Sequence, residues 1–178
     1  FEQKRFALLY LSLSALTSYC YRYTLSTFVH VTAWPLHLCN TAMFIVPLCL
    51  MFKWDKLYYF TLFINVLGAF FAMLMPNYAD TVNAISPDCV NFWINHFCAF
   101  FMPVLLIALR IYPRPKMRQF VYSLLAFAVY FLLILFINAW FSNYGSVDFF
   151  FLNSDYIAEK LGKWAENLRN AVWSFRVN

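Results

Sequence analysis

The sequence has little glycine and little charge for its length. Only three of its 178 residues are glycine, whereas 22 are phenylalanine and 12 are tyrosine. Charged side chains make up 12% of the chain and hydrophobic ones 63%, which is far outside the composition of an ordinary soluble domain. The scarcity of glycine also excludes tight helix crossing through repeated glycine contacts. The composition therefore indicates an integral membrane protein whose helices do not pack through glycine.

Uninterrupted apolar runs predict five membrane spans. Each run is near the roughly 20 residues that a helix needs to cross about 30 Å of hydrocarbon. Because lipid offers no hydrogen-bond partner to the backbone, apolar runs of this length are expected to be helical. The predicted fold is all-α, a polytopic transmembrane helix bundle over residues 1–153, with spans at about 6–26, 30–52, 57–75, 91–110 and 118–141.

Residues 154–178 have a different pattern, which predicts an amphipathic helix. Ser154 and Asp155 can cap its start, and apolar residues recur at helical spacing from Ile157 to Phe175. The opposite face carries charged and amide side chains and is too polar to cross a bilayer. We expect this helix to lie at the membrane interface, or to pack across the bundle or a partner chain.

The distribution of charge predicts the orientation in the membrane. Basic residues concentrate at the N-terminus and in alternate connections, namely Lys4, Arg5, Lys53, Lys56, Arg110, Arg114, Lys116 and Arg118. Loop 76–90 has no Lys or Arg. Positively charged loops face the cytoplasm, so we expect a multi-pass plasma-membrane protein with a cytoplasmic N-terminus. Loop 76–90 and the C-terminal helix are then on the outer side. The basic residues form no stripe that would predict nucleic-acid binding.

Four side chains in the outer half of these spans can support chemistry: His30, His37, Cys39 and His96. Ionisable groups within a membrane are energetically expensive and usually functional. In one interpretation, Cys39 is a thiol nucleophile and His96, or less favourably His37, is its base. Residues two apart on a regular helix point about 200° apart, so a base from another helix is favoured. One of four asparagines could orient the imidazole or donate to an oxyanion, and the sequence does not choose among Asn40, Asn65, Asn95 and Asn138.

Two other interpretations of these side chains stay open. The histidines and Cys39 could bind a metal ion, although their spacing matches no standard zinc motif, and no metal or other cofactor is predicted. Alternatively, the histidines and asparagines could be structural and hydrogen bond between helices.

The segment Trp34–Cys39 reads Trp-Pro-Leu-His-Leu-Cys and resembles the Leu-Pro-Leu-His-Leu-Cys signature of the YwaF-like bacterial integral membrane proteins. Asn95-His96 is similar to that family's Ser-His element, and Asn138 is similar to an asparagine of a later segment. Leu74–Asn77 and Leu161–Trp164 resemble two further elements, so the similarity extends over roughly residues 4–164.

The resemblance implies a bundle of about seven helices. It also implies a distant relationship to animal membrane acyltransferases that remodel phospholipids with a membrane-embedded Cys and His. Carried over to this chain, Cys39 is the nucleophile, His96 the base and His37 a supporting residue. The family pattern has a further span before Lys4, and it has a closing span where this chain has the amphipathic helix. Two explanations stay open: the sequence is a fragment of a longer member, or a partner completes the bundle.

Two function hypotheses follow. The favoured one is an acyltransferase or acyl hydrolase that acts on lipid acyl chains through Cys39 and His96. The alternative is a non-catalytic integral membrane subunit that scaffolds a larger complex or transporter. Both predict membrane lipids as partners, and the second also predicts other membrane subunits. A secondary transporter is less favoured, because no intramembrane carboxylate is available for proton coupling.

Overall fold

Five longer helices and one short C-terminal helix form the part of the chain that the structure describes. The structure is a computed structural model, and it describes residues 2–25, 34–76, 83–151 and 162–173. Within these ranges there is no β-strand, so the predicted all-α class is confirmed. The helices are α1 (Glu2–Leu25), α2 (Leu38–Phe52), α3 (Asp55–Leu74), α4 (Pro87–Ala108), α5 (Met117–Phe141) and α6 (Lys163–Trp173).

Among the described residues, three helices, α3, α4 and α5, are long and apolar enough to cross a membrane. The other two predicted spans also correspond to helices. Helix α1 has 24 residues but is more polar, and α2 is apolar but has only 15 residues. The chain is therefore a helical membrane-type protein, and the assignment of α1 and α2 as full spans stays a prediction.

Within the second predicted span, 30–52, the described helix begins later than the apolar run. Helix α2 starts at Leu38, and Trp34 to His37 are not helical. His37 is the N-cap residue, with extended φ and ψ values of −63° and 143°. Pro35 explains part of this difference, because a proline disfavours the helical conformation of the residue before it. Residues 26–33, which include His30, lie outside the described residues.

Helix α4 is central, since it packs against α1, α2 and α3. Tyr58 of α3 donates a hydrogen bond to the carbonyl of Pro103 in α4, with an O···O distance of 2.6 Å. Tyr112, in the turn after α4, donates to the carbonyl of Cys49 in α2 and stacks on Tyr58 with ring centroids 4.0 Å apart. Burial raises the pKa of Tyr112 above its ordinary value, so its hydroxyl remains a donor. These contacts fix three helices at one end of the bundle.

A π-helical turn, Thr61–Asn65, interrupts α3. Such turns change the direction of the side chains that follow and often occur at functional sites. Here Asn65 lies at the end of the turn, fully buried, and hydrogen bonds to the first turn of α2. The irregular turn thus brings α3 into contact with the segment that carries Cys39.

The C-terminal prediction can be compared with the structure only in part. Helix α6 covers Lys163–Trp173, and Gly162 before it has a positive φ of 82°. The predicted cap at Ser154 and Asp155, and residues 174–178, lie outside the described residues. Trp164 and Leu168 are exposed, as are Lys163 and Glu166. The location of this helix at a membrane interface stays a prediction.

Candidate functional site

Cys39 lies in the first turn of α2, immediately after the cap residue and Leu38. The amide N–H groups at the start of a helix lack intrahelical partners and favour a negative charge nearby. The Cys39 thiol contacts the backbone amides of its own residue and of Asn40. Its Sγ is also 3.8 Å from Oδ1 of Asn40. The local backbone is therefore suited to stabilise a thiolate at this position.

His96 approaches Cys39 from α4. The two side chains interact across α2 and α4, although they are 57 positions apart in the sequence. Nδ1 of His96 donates to the carbonyl of Phe92 at 2.6 Å, one helical turn earlier. In a neutral imidazole with the proton on Nδ1, Nε2 is an acceptor. This arrangement leaves Nε2 to accept the thiol proton. The structure brings together the two residues that the sequence analysis selected.

Asn40 and Asn95 join the same two helices beside this pair. Nδ2 of Asn95 donates to Oδ1 of Asn40, the same oxygen that the thiol of Cys39 contacts. From α3, Nδ2 of Asn65 donates to the carbonyl of Leu38 and to Oγ1 of Thr41, the latter at 2.8 Å. Three helices therefore hold the first turn of α2 through amide side chains.

His37 has different neighbours from His96. Its ring packs against the rings of Phe149 and Phe151, with centroids 5.6 Å and 5.3 Å away. It also interacts electrostatically with His96 and with Asp148. His37 therefore lies at the edge of the site, between the Cys39–His96 pair and the short 3-10 turn Phe149–Phe151, here called the aromatic turn. That location is compatible with a supporting residue, which is the role that the resemblance implied.

Asn138 does not bind the thiol or the imidazole directly. Its Nδ2 donates to the carbonyl of Phe149 at 2.8 Å, and its Oδ1 accepts from the amide of Phe149 at 3.1 Å. Phe150 and Phe151, which follow, have positive φ values of 64° and 54°. Both polar atoms of the Asn138 amide are thus bound to the backbone of Phe149, and neither contacts a histidine. Asn138 reaches the site only indirectly, through the Phe149 ring that packs on His37.

The sequence analysis missed the role of Tyr130 near the site. The hydroxyl of Tyr130, in α5, donates to the carbonyl of Leu36 at 2.8 Å and so fixes the extended segment before α2. A lone tyrosine in an apolar helix carries no sequence signal for this role. Arg22 and Asp88 form an ion pair at 2.5 Å between the end of α1 and the first turn of α4.

The described residues do not provide a set of ligands for the metal ion that one interpretation of the sequence required. No group of three or more His, Cys, Asp or Glu side chains there has the geometry to hold an ion. His30, which completed the proposed four ligands, lies outside the described ranges. The described residues instead place a thiol beside an imidazole.

Comparison with curated proteins and with solved structures gave no match. A family model, by contrast, matches residues 2–169, which include every residue of the site described above. That match covers nearly the whole chain and agrees with the apolar helices as the mark of an integral membrane protein. The chain belongs to the TMEM164 family.

Proposed function

We propose that the protein is a membrane-embedded acyltransferase or acyl hydrolase that acts on lipid acyl chains through Cys39 and His96. The observation that supports this proposal most is the interaction between the two side chains, which α2 and α4 bring together. A thiol beside an oriented histidine is the basic unit of covalent acyl transfer.

In the first step of the proposed reaction, Nε2 of His96 removes the thiol proton and Cys39 attacks the carbonyl carbon of an acyl ester. The C–O bond of the ester breaks, and His96 returns the proton to the departing alkoxide. The products are a thioester at Cys39 and a free alcohol. The backbone amides of the first turn of α2 are suitably placed to stabilise the thiolate, and Oδ1 of Asn40 can accept a hydrogen bond only from the neutral thiol.

The surroundings of the site agree with a lipid substrate. Large apolar side chains cover the exposed faces of α3, α4 and α5, so acyl chains can approach the bundle from the bilayer. The finer part of the proposal rests on the resemblance to YwaF-like proteins and on the charge distribution. It assigns the site to the outer leaflet of the plasma membrane.

The test is covalent labelling of the detergent-solubilised protein with an alkyne-tagged acyl ester. We expect wild type to form a thioester that hydroxylamine cleaves, Cys39→Ala to form none, and His96→Ala to react at least tenfold more slowly. Cys98→Ala is the matched control, because Cys98 is a half-buried cysteine of α4 whose Sγ lies 3.5 Å from Ser14. Equal labelling of wild type and folded Cys39→Ala would contradict the proposal.

A non-catalytic membrane subunit is the second candidate, and helix α5 favours it. Only 11% of the apolar window of α5 is buried inside the chain, against 39% for α3 and α4. Such a helix can face lipid or another subunit. A Cys39→Ser variant separates the two functions, because it removes the nucleophile yet keeps a small polar side chain in a scaffold. A native membrane assembly that forms normally with this variant, together with unlabelled wild type, would favour the subunit.

A further inference from the structure

Three buried amide oxygens near the site have no hydrogen-bond partner among the described residues. They are Oδ1 of Asn65, Oδ1 of Asn91 and Oδ1 of Asn95. The three residues are 0%, 4% and 2% exposed, respectively. An unpaired polar group inside a membrane protein costs up to several kcal/mol, because neither water nor lipid replaces the missing bond. A bound molecule that donates hydrogen bonds would satisfy these oxygens.

Two of these residues belong to one buried stripe of α4. Asn91 and Asn95 are one helical turn apart, and Ala99, Met102 and Leu106 continue the stripe toward the other end of the helix. The stripe is therefore polar only between the N-terminal end of α4 and the level of His96. Below that level the same face is apolar.

The polar part of the stripe leads from the Arg22–Asp88 ion pair to the reactive residues. Asp88 is in the first turn of α4, Asn91 is next, and Asn95 donates to the Asn40 oxygen that contacts Cys39. Successive turns of α4 therefore each carry a polar side chain on this face, from Asp88 through Asn91 to Asn95. The unpaired oxygens of Asn91 and Asn95 thus border a line from the end of the helix to the thiol.

We propose that Asn91 and Asn95 form the binding site for a hydroxyl group, the acceptor that takes the acyl group from Cys39. This inference rests on the proposed function, because it assigns the second half of the same reaction. Amide oxygens accept hydrogen bonds and repel anions, so a phosphate or carboxylate does not suit this position. An ammonium group would need a buried carboxylate, and Asp88 at the start of the stripe is already paired with Arg22.

The chemical step conserves atoms and charge. The acceptor oxygen forms a bond to the thioester carbon while Nε2 of His96 takes the hydroxyl proton. The C–S bond then breaks, and His96 returns the proton to Cys39. The products are an ester and the free thiol, and no other reactant is consumed. When water replaces the alcohol as the acceptor, the same step is hydrolysis of the thioester.

The experiment separates the two half-reactions. Protein acylated at Cys39 with the alkyne-tagged ester is mixed with 1-monooleoylglycerol, with oleylamine or with buffer alone, and both loss of label and tagged product are followed. The variants are Asn91→Leu, which replaces the amide by an apolar group with the same branching and number of heavy atoms, and Asn91→Ser, which restores an acceptor. Asn143→Leu, at an exposed asparagine after α5, is the matched control.

We expect transfer to monooleoylglycerol to fall about tenfold in Asn91→Leu, the effect of one lost hydrogen bond, with at most a twofold change in acylation of Cys39. Asn91→Ser recovers most of the loss, and Asn143→Leu behaves as wild type. Transfer within twofold of wild type in Asn91→Leu would overturn the inference. So would an equal loss in acylation and transfer, a loss confined to oleylamine, or a loss confined to hydrolysis, which would assign the stripe to water.

A binding measurement tests the inference without activity. Thermal unfolding of wild type is compared in micelles containing monooleoylglycerol and in micelles containing methyl oleate, which lacks hydroxyl groups. We expect a higher midpoint with monooleoylglycerol for wild type, and equal midpoints for Asn91→Leu. If wild type forms no Cys39 thioester, the proposed function fails and this comparison alone decides the hydroxyl site. Equal midpoints for wild type would then reject it as well.

Discussion

Among single residues, Asn138 has the clearest structural task, because it binds both polar groups of one backbone unit. Its amide meets the N–H and the C=O of Phe149, and all of these groups are buried. The two residues that follow have positive φ, a conformation that side chains other than glycine disfavour by about 1–2 kcal/mol each. Asn138 therefore holds a strained aromatic turn against His37.

Replacement of Asn138 by leucine should release this turn. The loss of two buried hydrogen bonds leaves Phe149 unpaired, so we expect a loss of about 2–4 kcal/mol in the free energy of unfolding. Labelling of Cys39 should slow in parallel, because the Phe149 ring packs on His37. The measurement is chemical unfolding in detergent, followed by the acyl-labelling assay. Asn143→Leu serves as the control. If Asn138→Leu lowered the free energy of unfolding no more than Asn143→Leu does, Asn138 would not hold the aromatic turn.

The sequence was sufficient to select the reactive pair, but it was not sufficient to predict the partner of Asn138. Cys39 and His96 were selected because so few reactive side chains occur in the apolar spans, and their contact follows from helix packing. The partner of Asn138 could not be predicted in this way. It depends on how the chain after α5 turns back, and residues 142–148 have no pattern that specifies that return.

The helices themselves followed from the sequence wherever an apolar run was long. The bounds of α3, α4 and α5 lie within four residues of the predicted spans, because lipid-facing backbone has no alternative to a helix. Helix α2 begins at Leu38, eight residues after the start of the predicted span, since hydropathy does not detect the extended conformation of His37. That difference matters for function, because it gives Cys39 the unpaired amides of a helix N-terminus.

At the element scale, the end of α2 is a place where stability can be raised. Lys53 caps the helix with φ of 56° and ψ of 38°, the left-handed conformation in which glycine is preferred. Its ammonium group makes one exposed ion pair with Glu2 at 3.4 Å, and such pairs contribute little. We expect Lys53→Gly to raise the free energy of unfolding by about 0.5–1 kcal/mol, measured by chemical unfolding in detergent.

Lys56→Gly is the matched control for that prediction. Lys56 is also an exposed basic residue of the same connection, but it lies within the first turn of α3. A glycine in a helix is less favourable than other residues, so Lys56→Gly should lower stability by up to about 1 kcal/mol. Equal effects of the two substitutions would mean that charge, and not backbone conformation, determines the result.

At the scale of the whole molecule, the orientation in the membrane decides which leaflet the site faces. The Cys39–His96 contact, the Arg22–Asp88 pair and the aromatic turn share one end of the bundle, whereas Lys53 and Tyr112 share the other. The second end carries most of the basic residues. The positive-inside rule therefore predicts that the reactive end faces the outer leaflet.

Single cysteines introduced at the two ends test this orientation. Ile85 is 87% exposed and lies just before the start of α4, whereas Lys116 is the N-cap residue of α5 and follows the end of α4. The two residues therefore lie at opposite ends of the bundle. In intact cells, a membrane-impermeant maleimide should label Ile85→Cys above the wild-type background that the native cysteines give. Lys116→Cys should rise above that background only after the membrane is permeabilised. The reverse pattern would assign Cys39 to the cytoplasmic leaflet and would require an acyl donor from that side.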